Sequence, residues 1–211
     1  MSKKKPIATA NEYIAALRRC GYELGLAKYY MSALRGLWAS AVKSPMPSAI
    51  GLADLAWKEQ SKSHCMKVFG SHEAGGLAEI LKYADANNLS APIDRKNLES
   101  AIELVRQPLR EIRINIHMHI TIDGAKDPDA IYMANPILWD QLEVAIDAGI
   151  KIVKHYYFLY GKPFELFDYD GSDVTTVAKY VKANDLHWKP RDNNPEWIKR
   201  LFAKTSEVDS W

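Results

Sequence analysis

With 211 residues, of which 47% are hydrophobic and 26% charged, the chain can bury one substantial core and has an ordinary globular composition. A formal net charge of +2 excludes wholesale attraction to polyanions, so any nucleic-acid site must come from local clustering. No apolar run approaches the ~18 residues of a membrane span, and no signal-peptide core follows the basic Ser2–Pro6 start, so a cytoplasmic protein without a membrane partner is expected.

The first helix is expected from an N-cap at Asn11, with Ile14, Leu17, Leu24, Met31, Leu34 and Trp38 holding helical phase to about Lys43. Gly21, Gly25 and Gly36 weaken it, which suggests two helices in line and close approach of a neighbour. Tyr22, Tyr29 and Tyr30 read as amphipathic packing residues. Ser44-Pro-Met-Pro-Ser48 is a stop. A second helix follows from about Ile50 to Phe69, with Leu52, Leu55, Trp57, Met66 and Phe69 as core and His64 half-exposed. Cys20 and Cys65, far apart inside helical segments, read as buried small hydrophobes of a reducing compartment.

Gly70 to Gly76 forms a turn whose His72 and Glu73 lack further metal ligands at useful spacing. Leu77, Ile80, Leu81 and Ala84 make a short helix ending at Asn87-Asn88, and Asp94 caps the next one. Ala130 to Ala134 is expected to be briefly extended. Asn135 then serves as N-cap, with Pro136 at the first helical position of a long helix through Leu142, Ile146, Gly149, Val153, Tyr157 and Tyr160. Gly161 and Pro163 close that helix, and His155 suits its C-terminal dipole. Beyond it, Phe164 to Tyr169 is expected to be extended. Ser172 caps a helix carrying Val174, Val177, Tyr180 and Val181, and Asn194-Pro195 opens a last one. The expected architecture is all-α: a helical body over 1–162, with a small mixed C-terminal appendage over 163–211 packed back on it.

The chemistry concentrates in Leu109 to Ile122, LREIRINIHMHITI. Isoleucine or methionine at every second position from Ile112 to Ile122 fits a half-buried strand. Yet Leu98, Ile102, Val105, Leu109, Ile112, Ile116 and Ile120 form one apolar stripe at helical spacing that enters the stretch without a change of phase. Pro108, which costs an interior helix roughly 3 kcal/mol, is the objection. The helix is the favoured parse and the strand its rival. On the helix, Arg110, Arg113 and His117 share a stripe, with Asn115 and His119 one turn apart beside it. A near-neutral imidazole can take a proton from a ribose 2′-hydroxyl or give one to a leaving oxygen. A guanidinium fork can hold a phosphate, and Asn115 can orient the imidazole or donate to phosphate. On the strand, His117 and His119 would instead form an HxH pair, without recognisable further ligands.

An Arg, polar, His cluster late in a long helix, followed by a loop and another long amphipathic helix, resembles the HEPN superfamily. The abortive-infection type found in defence and toxin systems is the most similar. Its signature is an arginine followed by a histidine after four to six residues. Arg113 to His119 has five between, and Arg110 to His117 is an overlapping match with six. The resemblance covers roughly residues 10–161. The family commonly has a polar residue directly after the arginine; here Ile114 stands there and Asn115 follows. The resemblance implies metal-independent and cofactor-free RNA cleavage at a composite site between two protomers. Arg113, His119, Asn115 and His117 would be catalytic and Arg110 would bind substrate, with a neutralising or effector protein as a further partner. Ile114 and the low net charge motivate the alternative, a non-catalytic HEPN-like scaffold acting through a partner. An HxH metal enzyme is the third reading.

Overall fold

A computed structural model describes residues 6–40, 48–70, 76–118, 127–162, 164 and 169–183, with the side chains of 48–50, 116–118, 128 and 181–183 left aside. The architecture is all-α, with no strand among the described residues. The helices are α1 (Ala10–Ala39), α2 (Ser48–Phe69), α3 (Leu77–Ala86), α4 (Arg95–Ile112), α5 (Pro128–Ala134), α6 (Trp139–Leu159) and α7 (Ser172–Ala183). A π-helical turn, Arg113–Met118, continues α4. None of these helices is long and apolar enough to cross a membrane.

The first helix starts earlier than expected. Thr9, not Asn11, is the N-cap: its hydroxyl accepts from the Glu12 amide at 3.2 Å, and the Glu12 carboxylate accepts from the Thr9 amide at 3.1 Å. This reciprocal box satisfies two amides that helix geometry leaves unpaired. The helix then runs unbroken through its glycines to Ala39, so the two-helix expectation does not hold. Tertiary packing explains why. Gly36 meets the backbone of Gly171 at the start of α7, and Gly21 meets the Phe164 ring, contacts a Cβ would obstruct. Thr175 Oγ1 donates to the Gly36 carbonyl at 2.7 Å, fastening α7 to α1.

Leu17, Leu24, Met31 and Leu34 of α1 share one core with Met66 and Phe69 of α2, Leu77 and Ile80 of α3, and Leu142, Ile146 and Val153 of α6. The stripe Leu98, Ile102, Val105, Leu109 and Ile112 joins them from α4. Burial of each such side chain contributes about 1.5–3 kcal/mol. On α2, however, Leu52 and Leu55 are 67% and 57% exposed, so of the residues expected there the core takes Trp57, partly buried against it, with Met66 and Phe69. On α7, Ala178 is buried while Val177 and Tyr180 face outward.

Two expectations about the entry to α6 fail. Ala130–Ala134 belongs to α5, capped by Asp127 accepting from the Ala130 amide at 2.9 Å. Asn135 closes α5 instead of opening α6, whose N-cap is Leu138. Asn135 Nδ2 donates back to the Ile131 carbonyl at 2.9 Å, a local bond that ends one helix as readily as it begins another. The far end behaves as read: Gly161 takes φ +62 in the left-handed region. His155 does more than suit a dipole. Its Nε2 lies 2.8 Å from the Ser90 carbonyl, pinning the segment that leads into α4.

Candidate functional site

Pro108 lies inside α4, and the backbone beyond it stays helical to Met118. The strand parse therefore fails over residues 112–118, because the apolar stripe entering from Leu98 finds a continuous core to cover. At Arg113 the coil widens from α to π geometry, a local feature that recurs at functional sites.

Arg110 and Arg113, three apart, face the same side of the helix. The Arg113 guanidinium reaches the end of α2, with Nη1 3.5 Å from the Met66 carbonyl. It also fills the space a side chain on Gly70 would need, passing 2.6 Å from the position of a Cβ there. Arg110 is half-buried, and its Nε has no hydrogen-bond partner among the described residues. Asn115, two residues past Arg113, is not a same-face neighbour of it. Its Nδ2 donates to the Glu111 carbonyl at 2.9 Å, and the Glu111 carboxylate is 3.5 Å away. The structure thus brings Arg110 and Arg113 to one face and turns Asn115 to another. The backbone of His117 lies in the π turn, whereas its side chain and all of His119 are outside the described residues, as are His72 and Glu73.

One cluster was not anticipated. His64 is 7% exposed, not half-exposed, and its Nδ1 is 2.6 Å from Glu23 Oε2 on α1. Lys67 Nζ donates to the same oxygen at 3.0 Å. The Tyr30 ring lies parallel to the imidazole, 5.7 Å away at 13°. Burial pushes the Glu23 carboxyl up, but the hydrogen bonds from His64 and Lys67 outweigh it and hold the group below its ordinary range. The only local hint is the three-residue spacing of His64 and Lys67, which puts both on one face of α2. Glu23 lies 41 residues away from His64, beyond the reach of any local pattern.

Around α2 the other charges are paired. Lys62 bonds Glu59 and lies 4.8 Å over the Tyr132 ring, docking α5 against α2. Across the body, Arg35 of α1 bonds Asp140 and Glu143, and Lys28 bonds Asp147 at 2.9 Å, tying α1 to α6. Both thiols are buried, and burial pushes Cys20 up to about 12 and Cys65 higher still, which leaves them poor nucleophiles.

Comparison of the chain with protein-family models, curated proteins and solved structures finds no match.

Proposed function

We propose that the chain is a HEPN-like, metal-independent endoribonuclease, a defence or toxin effector whose site forms where two copies meet. The observation that carries this reading is the helical backbone through Pro108 into the widened turn that begins at Arg113. In this reading His119, with His117 beside it, moves the proton of the ribose 2′-hydroxyl. Arg113 offsets charge on the phosphate, Arg110 holds the adjoining backbone, and Asn115 orients an imidazole. A single chain offers few such groups, and a twofold cleft doubles them. Attack of the 2′-oxygen on phosphorus leaves a 2′,3′-cyclic phosphate. The test is RNA cleavage in EDTA by the wild type and by His119→Ala: the wild type cuts and the variant does not.

A second reading is favoured by a specific observation. Arg113 meets the Met66 carbonyl and Asn115 the Glu111 carbonyl, so both serve the fold. That suits a non-catalytic HEPN-like scaffold acting through a protein partner, for which partner association is lost on removing residues 163–211 while RNA stays intact.

A further inference from the structure

We infer that the outer face of α2, in its first half, is the docking site of the chain's own C-terminal segment, held through Trp197, Ile198, Leu201 and Phe202. The inference does not depend on the ribonuclease reading.

The face is apolar and open. Leu52, Leu55 and Ala56, at helical spacing, point to solvent together, and a Cβ on Gly51 beside them would meet nothing within 4 Å. The charges that could solvate this half of the helix are turned inward. Asp54 accepts from Trp38 Nε1 at 3.2 Å and pairs with Lys58 at 2.6 Å, and Lys58 lies 6.0 Å from the rings of both Trp38 and Trp139. An exposed apolar strip without charge of its own marks a surface that something covers.

Its extent and position favour a tethered occupant. Two leucines and an alanine fall well short of the ~800 Å² that each partner of a stable dimer contributes. A segment of the same chain needs less, because its tether supplies a high effective concentration. The last described helix brings the chain to this place: Val174 and Ala178 of α7 pack with Leu37 of α1 and Trp57 of α2. From Trp57 to Leu52 is about 8 Å of helix. The end of α7 is Ala183, and residues 184–196 beyond it can extend over about 40 Å, several times that distance.

The sequence beyond α7 supplies the matching surface. Asn194-Pro195 opens a helical pattern in which Trp197, Ile198, Leu201 and Phe202 share one side and Glu196, Lys199 and Arg200 the other. Such a face laid along α2 puts aromatic and aliphatic side chains over Leu52 and Leu55 and leaves its own charges in water.

The experiment is amide hydrogen exchange on the full-length protein, wild type and Leu52→Ser/Leu55→Ser, with circular dichroism as the fold check and light scattering for mass. The expected result is exchange over residues 196–203 slowed about 10-fold or more in the wild type. The slowing is lost in the variant at unchanged helicity, and neither result depends on protein concentration. Unslowed exchange over 196–203 in the wild type, or slowing that survives in the variant, overturns the inference. Slowing that grows with concentration alongside a dimer mass assigns the face to a second copy and overturns it too. If the variant does not fold, a nitroxide at the exposed position 60, carried on Gln60→Cys, decides; Cys20 and Cys65 are buried and escape the label. Broadened amide resonances over 197–202 support the inference, and unbroadened ones overturn it.

Discussion

Arg113 Nη1 lies 3.5 Å from the main-chain carbonyl of Met66, so the first residue of the π turn is tied to the closing turn of α2. Gly70 makes room for this contact. A Cβ there would be 2.5 Å from the Met66 oxygen and 2.6 Å from Arg113 Nη1. The guanidinium can swing away, but the carbonyl cannot. Gly70→Ala is therefore expected to displace Arg113 and to destabilise the fold by about 1–3 kcal/mol, the usual range for overpacking. Urea unfolding measures the stability loss, and RNA cleavage reads the displacement: a variant as stable and as active as wild type would break the link.

The seam between α1 and α7 makes a second prediction. A Cβ on Gly36 would overlap the Gly171 carbonyl, and one on Gly171 would overlap the Ser32 carbonyl, all backbone atoms. Gly171 also has φ +78, in the left-handed region that side chains other than hydrogen disfavour. Gly36→Ala should release α7 from α1, seen as faster amide exchange over residues 172–183 with α3 and α4 unchanged. Uniform protection across the chain would contradict it.

Acid should weaken the α1–α2 junction. Glu23 has a folded-state pKa below its ordinary 4.5, so its contribution is complete above that value and is lost as pH falls through the lower folded value. Glu23→Gln is expected to cost about 3 kcal/mol at neutral pH, because it removes one partner of a buried ionic group. The gap between variant and wild type should shrink below pH 4.5. Urea midpoints across that range check this, and a gap that stays constant would exclude Glu23 as its source.

The fold was largely legible because the apolar stripes of α3, α4 and α6 are long and keep one phase. Leu98 to Ile112 carried the reading past Pro108 and over the competing two-residue alternation. The errors share a physical cause in contacts that are distant or purely local. Thr9 and Glu12 form a capping box visible in the sequence, but Asn11 is a good cap by residue type and drew the boundary inward. Asn135-Pro136 has the form of a helix start, yet the Asn135 side chain bonds backward to Ile131. His64 looked half-exposed because Glu23 and Tyr30, which enclose it, come from another helix. On the candidate site, the sequence reached Arg110 and Arg113 as same-face neighbours. It did not reveal that Arg113 would find a main-chain carbonyl of α2, since helical spacing says nothing about what a face meets.

The central claim is tested most directly by incubating RNA with purified protein in EDTA, beside His119→Ala at the same concentration. The account predicts cleavage to 2′,3′-cyclic phosphate ends by the wild type and none by the variant. Equal cleavage by both, or intact RNA with both, would contradict it.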